Sequence, residues 1–260
     1  MACPSSELYF QSHNPGHETI LLIHGACGSS TEWQDTITPL TQAGYHLLIP
    51  DLPAHGQSTQ VRFTVEGAGQ HLLTLITNHG HNGAAHVVGM SLGAHIAAYM
   101  AARAQPGQIQ SLIASGYSTF RPPQLLVSIL APPVYALHHG IQLLTKPAVE
   151  IREWSRGEGS YALIAEVART LMQPRALGEI RVRTLVVAAA KPPKVIADRE
   201  QSAEEFFGAV VGGGSNGSRV VQHRGVRHPW HVDEAGQFAG MVLRWVQGQD
   251  LGEAFEEIGD

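Results

Sequence analysis

The stretch His86-Val87-Val88-Gly89-Met90-Ser91-Leu92-Gly93-Ala94-His95 decides how the chain is read. It opens on a β-branched apolar run, passes through a G-x-S-x-G pentapeptide and continues into an alanine-rich segment with helical character. A serine between a buried strand and a helix, flanked by glycines at 89 and 93, can occupy a strained turn that pushes its hydroxyl out of the sheet beside the positive end of the helix. The pentapeptide alone is a weak signal. Gly213-Gly214-Ser215-Asn216-Gly217 fits it too, yet no strand precedes it and no helix follows, so it reads as a flexible turn. At Ser91 the bland reading is an ordinary tight turn; the strand before it and the helix after it favour a nucleophile.

Outward from this stretch, apolar runs of four to six residues recur at Thr19 to Ile23, His46 to Pro50, Ser111 to Ala114, Thr184 to Ala189 and Arg219 to His223. Runs apolar on both faces suit strands sandwiched between helical layers, and the intervals are long enough for helices. The expectation is an α/β architecture with a mostly parallel central sheet and helices on both faces. Expected helices are Glu32 to Ala43, Val65 to Asn78, Leu92 to Gln105, Ser202 to Val211 and Asp233 to Gln247, with Pro106-Gly107 stopping the third. An extra strand is expected at Leu8 to Ser12, turning at Asn14-Pro15-Gly16; a tag scar is the other reading of that segment.

Residues 116–183 lie between two strands, carry helical patterning and are broken by Pro122-Pro123, Pro132-Pro133 and Pro147. An insertion this long is expected to be a helical lid rather than a loop. The core is therefore expected to comprise 1–115 and 184–260, with 116–183 as the lid. Leu125, Ile129, Tyr135, Trp154 and Tyr161 suit an apolar pocket wall, although a packed lid core would have the same composition. The tail from Gly252 to Asp260 reads as a solvated, fraying terminus.

Composition sets the outer limits. The 260 residues are 43% apolar, enough for a sizeable core, and carry a net charge of −5 with no Lys/Arg cluster to follow a phosphate backbone. Nucleic acid is not an expected partner. No apolar run approaches the ~20 residues that cross a bilayer, and MACPSSELYF lacks the basic and apolar regions of a signal peptide. A cytoplasmic location is expected. With only Cys3 and Cys27, neither a disulfide framework nor a cysteine metal site is supported.

On these residues the chain resembles the α/β-hydrolase superfamily from about Leu8 to Gly248. Besides the serine turn, Leu21-Leu22-Ile23-His24-Gly25-Ala26-Cys27-Gly28 is similar to that family's oxyanion loop, and Asp51-Leu52-Pro53-Ala54-His55-Gly56-Gln57-Ser58 to its next βα turn. The resemblance implies an oxyanion hole formed by the backbone amides of Ala26 and Leu92, with Cys27 replacing Ala26 if the loop is offset by one. His24, His55 and Asp51 are read as loop-holding residues. The family's order of serine, acid, then histidine places the base in Arg227-His228-Pro229-Trp230-His231-Val232-Asp233, where His228 matches the catalytic position and His231 an accessory one.

The acid is where the sequence departs from the family. The family places an aspartate a few residues past the penultimate strand, but Thr184 to Ala189 runs into Ala190-Lys191-Pro192-Pro193-Lys194, and both aligned positions are proline. After the strand ending at Ala114, Ser115-Gly116-Tyr117-Ser118 holds no carboxylate either. Asp198 is the nearest acid candidate, although Asp198-Arg199-Glu200-Gln201 also has the form of a helix-capping box, which is the preferred reading.

The function expected is a cofactor-free and metal-free serine hydrolase of a small, fairly apolar ester, lactone or related acyl compound. The missing acid motivates an alternative: a lyase, isomerase or cyclase using the same Ser91 and His228 pocket. A non-catalytic binding protein ranks third, since fold alone decides nothing about function. The expected partner is a small-molecule substrate. Composition leaves the oligomeric state open.

Overall fold

The computed structural model describes residues 7–117, 161–172, 176–191, 198–211 and 217–259. Among the described residues eight strands form a single sheet in the order β1-β3-β2-β4-β5-β6-β7-β8. Six are parallel: β2 (Thr19–Ile23), β3 (His46–Pro50), β4 (Ala85–Met90), β5 (Ile109–Ser115), β6 (Arg183–Ala189) and β7 (Arg219–His223). β1 (Phe10–His13) and β8 (Glu256–Glu257) close the two edges antiparallel.

Burial on both faces explains why the strand sequences lack polar alternation. In β2 every residue is buried. Leu21 and Ile23 point into one apolar cluster, Ile20 and Leu22 into the other. Each such side chain contributes about 1.5–3 kcal/mol by leaving water. The first cluster is roofed by α2 (Val65–His79), α3 (Leu92–Ala101), α4 (Tyr161–Met172) and α5 (Glu200–Val210), through Leu72, Ile96, Val167 and Phe206. The second is roofed by α1 (Gln34–Gln42) and α7 (Ala235–Val246), through Leu40, Phe238 and Trp245. A four-residue helix, α6 (Trp230–Asp233), precedes α7.

Several boundaries differ from expectation for local reasons. The first expected helix splits into a 3-10 turn, Ser30–Trp33, and α1. The third ends at Ala101 rather than Gln105. The residue before a proline is kept out of the helical region, and the chain leaves through turns closed on the Met100 carbonyl by the Arg103 and Ala104 amides. The acidic tail is not a frayed end: Glu256 and Glu257 pair with Gln222 and Val221. Arg219 and Arg224 each bond one of these glutamates, so β8 covers an otherwise open sheet edge.

Of the expected lid, residues 118–160 and 173–175 lie outside the described residues; within the remainder, Leu163 and Val167 of α4 join the core. No helix among the described residues is long and apolar enough to cross a membrane. The parallel register sets Ile23 beside Gly89, Met90 beside Ser115 and Ala189 beside His223. Loops that leave β2, β4, β5, β6 and β7 therefore emerge along one edge of the sheet, where the candidate residues collect.

Candidate active site

Ser91 sits between β4 and α3 at φ 55° and ψ −115°, a strained conformation for a residue with a side chain. Its neighbours explain the two glycines. A Cβ at Gly89 would stand 2.3 Å from the Gly93 carbonyl oxygen, and one at Gly93 would stand 2.3 Å from that of Ile23. Only glycines let strand, turn and helix approach this closely. The Ser91 amide donates to the Ser115 carbonyl at 2.8 Å, tying the turn to β5. Its hydroxyl makes no capping bond to α3 and is left for other work. The Leu92 amide opens α3, where helix amides have no intrahelical acceptor. Ser215, in the second pentapeptide, lies outside the described residues.

The loop after β2 approaches the serine from the other side: a Cβ on Gly25 would lie 3.4 Å from Ser91 Cβ. His24 orients this loop. Its Nε2 accepts from the Leu52 amide at 2.9 Å, so Nδ1 carries the proton and donates to the Gly25 carbonyl at 2.7 Å. Burial, reinforced by the neighbouring His55, pushes the His24 pKa down to about 3, so the ring stays neutral. Because a trans peptide points its C=O and N–H in opposite directions, the bond from His24 also aims the Ala26 N–H. Cys27 takes φ 60°, turning the chain immediately after it.

The next βα turn holds this loop from behind. Asp51 accepts from the Ser30 amide and from the Gln57 amide, both at 2.7 Å. His55 donates through Nδ1 to the Pro53 carbonyl at 2.9 Å, and burial lowers its pKa as well. All three side chains, His24, Asp51 and His55, bind loop backbone.

Asp198 and His228 come together across 30 residues of sequence. His228 Nδ1 lies 3.1 Å from Asp198 Oδ1, at ion-pair distance although the angle falls outside that of a regular hydrogen bond. The second carboxylate oxygen of Asp198 accepts from the Ala189 amide at 2.8 Å, while the Asp198 amide donates to the Ala189 carbonyl at 3.0 Å. This two-bond clasp returns the chain to the end of β6, so Asp198 stands at the strand end although nine residues separate it from Ala189. Pro192 and Pro193 lie outside the described residues. The preferred capping reading fails: Arg199, not Asp198, is the N-cap of α5, and the Asp198 carboxylate is turned to Ala189 and His228 instead.

Gly116, φ 72°, leaves room for this pair. A Cβ there would stand 2.7 Å from His228 Nδ1 and 3.3 Å from Asp198 Oδ1. The adjacent Tyr117 is stacked between His95 and Phe206, with ring centroids 3.9 and 3.8 Å apart, which fixes Gly116 in place. Ser115 joins the two halves of the site. Its carbonyl holds Ser91, and its hydroxyl accepts from the Trp230 indole at 3.0 Å, two residues after His228.

His231 points elsewhere. Its Nε2 lies 3.2 Å from Glu32 Oε2, and its ring packs on Trp33 at 4.5 Å. The aspartate therefore partners His228 and a glutamate partners His231. Ser115, Gly116 and Glu32 are the residues that sequence reading passed over; only the positions of Ser115 and Gly116 after a strand gave any signal. Among the described residues no group of three His, Cys, Asp or Glu is placed to hold a metal ion.

The family model of the alpha/beta hydrolase family matches residues 20–241, a span that contains the serine turn, the loop after β2 and the Asp198–His228 pair. The chain belongs to the alpha/beta hydrolase family. It is 43% identical over 252 residues to an AB hydrolase superfamily protein of Gibberella zeae, covering 96% of this chain and 88% of that one. It is 25% identical over 149 residues to a 2-hydroxy-6-oxononadienedioate/2-hydroxy-6-oxononatrienedioate hydrolase of Escherichia coli K12, covering 55% and 50%. Among solved structures an esterase from Exiguobacterium antarcticum aligns with a TM-score of 0.68 at 16% identity, covering 92% of this chain and 95% of that one. At such identity the last comparison speaks to the fold of this alpha/beta hydrolase alone.

Proposed function

We propose that this hydrolase cleaves small, fairly apolar esters, lactones or related acyl compounds through a covalent Ser91 intermediate, without a cofactor. Ser91 Oγ attacks the carbonyl carbon while His228 takes its proton. The carbonyl oxygen becomes an oxyanion that accepts from the Ala26 and Leu92 amides, each such donor being worth ~3 kcal/mol in the transition state. Collapse expels the alcohol, which receives the proton held by His228. Water, deprotonated by His228, then attacks the acyl carbon, and the acid leaves as Ser91 regains its proton. Asp198 keeps the His228 proton on Nδ1, so that Nε2 is the basic nitrogen, and stabilises the imidazolium between steps.

The observation that carries this reading is the clasped Asp198 carboxylate beside His228. It also removes the motive for the lyase, isomerase or cyclase alternative, which was an acid position filled by proline. Fluorophosphonate labelling is the test. Wild type should label at Ser91 and hydrolyse p-nitrophenyl acetate; Ser91→Ala should do neither while keeping its fold. Labelling that persists in Ser91→Ala, or turnover above about a tenth of wild type, would defeat the nucleophile assignment. His228→Ala should be at least ~10³-fold slower than wild type.

A further inference from the structure

The mechanism leaves unused a carboxylate that lies against the oxyanion loop. Glu32, in the 3-10 turn after that loop, is half-buried, and its carboxylate faces Gly28 and His231 rather than Asp198 and His228. A Cβ on Gly28 would stand 2.3 Å from Glu32 Oε1 and 2.7 Å from Oε2, so the carboxylate fills the space that a side chain at 28 would take. On its other side the carboxylate accepts a hydrogen bond from His231 Nε2 at 3.2 Å. Gly25 lies directly before Ala26 and against Ser91. His231 is almost wholly buried, packed at a tilt against Trp33 and edge-on to Phe238.

We propose that Glu32 is a positioning residue of the oxyanion hole: its carboxylate clamps the Gly25 to Gly28 loop onto His231 and so holds the Ala26 amide where charge develops. The inference rests on the serine-hydrolase reading above. His24 holds the carbonyl of Gly25, to which the Gly28 amide also donates at 3.4 Å, and Glu32 packs against Gly28, so the loop is held from two independent directions. Burial acts to raise the Glu32 pKa, but the hydrogen bond from His231 opposes it, and the group lies below its ordinary value. An ionised carboxylate only accepts, so His231 must carry its proton on Nε2. Its Nδ1 is buried without a hydrogen-bond partner, so the ring can exchange tautomers at no loss of contacts. A glutamine at 32 could therefore fill the same space against Gly28 and keep the bond, donating to His231.

The prediction is specific to the transition state, because a loosened oxyanion donor weakens charge stabilisation and not substrate binding. With p-nitrophenyl acetate, Glu32→Ala should lower kcat roughly 10²-fold, leaving KM within about threefold of wild type. The Ki of phenylboronic acid, whose tetrahedral adduct places an oxygen in the hole, should rise in step with the loss in kcat. Glu32→Gln should stay within about threefold of wild type, which a role for the charge itself would not allow. If Glu32→Ala fails to fold, Gly28→Ala serves instead: its methyl displaces the carboxylate, and the same loss confined to kcat is expected. A kcat near wild type in Glu32→Ala or Gly28→Ala, or a Glu32→Gln as slow as Glu32→Ala, overturns the clamp. In a wild type that labels at Ser91 these results would leave the hydrolase reading standing. An unlabelled Ser91 would remove both.

Discussion

The carboxylate of Asp198 meets His228 Nδ1 at 3.1 Å because the Asp198 backbone and side chain are both bonded to Ala189, the last residue of β6. The clasp turns a residue that is distant along the chain into one that stands at the strand end. A residue held by one backbone bond and one side-chain bond loses little further freedom on orienting a ring, which makes it effective for fixing a tautomer.

Asp198→Asn should preserve the fold, since the amide oxygen can still accept from the Ala189 N–H. It should cost ~10⁴ in kcat, because its NH2 group would favour the wrong His228 tautomer. Steady-state hydrolysis of p-nitrophenyl acetate measures this. A silent substitution would reopen the question of an acid at 192 or 193, where Pro→Asp variants should otherwise gain nothing.

Strain at Ser91 predicts a trade between stability and activity. Ser91→Gly removes a side chain from φ 55° and should stabilise the protein by about 1 kcal/mol. At this chain length that is a rise in Tm of ~2–4 °C. Calorimetry of the inactive variant decides the matter: an unchanged or lower Tm would mean that the turn is not strained.

Gly116→Ala should harm both properties. Its φ of 72° makes a Cβ cost about 1–2 kcal/mol. The methyl would also press on the His228 ring from 2.7 Å, and a displacement of even ~1 Å at a reacting group can cost ~10² in rate. Comparing its kcat and urea midpoint with those of wild type separates the two effects.

Acid sensitivity follows from buried neutral histidines. His24, His55 and His86 all have pKa values lowered first of all by burial, His24 to about 3. Unfolding returns each to an ordinary value near 6.5. The unfolded chain thus binds more protons below that pH, and stability present above it is lost as pH falls toward the folded-state values. Each group costs about 1.4 kcal/mol per pH unit in that range. Urea midpoints should therefore drop steeply between pH 7.5 and 5, and a flat profile would contradict neutral burial.

The fold was legible because its signals are local. Thr19 to Ile23 and His46 to Pro50 are apolar at every position, and only a sheet covered on both faces rewards that pattern over so short a run. Gly89, Ser91 and Gly93 were legible for the same reason, since a strand-to-helix turn imposes its demands within five residues. The tail was misread because Glu256 and Glu257 resemble solvated residues, and their pairing with β7 depends on an edge some 35 residues earlier in the chain.

By itself, the sequence determined the α/β order of elements and the serine at the strand-to-helix turn, and its resemblance to a family pointed to the loop after β2 and to His228 rather than His231. Only the tertiary structure decided which carboxylate each histidine meets. Asp198 reaches His228 through a clasp on Ala189, and Glu32 reaches His231 from a position 199 residues away. Spacing along a chain reports geometry only where the backbone is regular; past the end of β6 it is not, and the carboxylate's position there is set by hydrogen bonds to a strand end rather than by its place in the sequence.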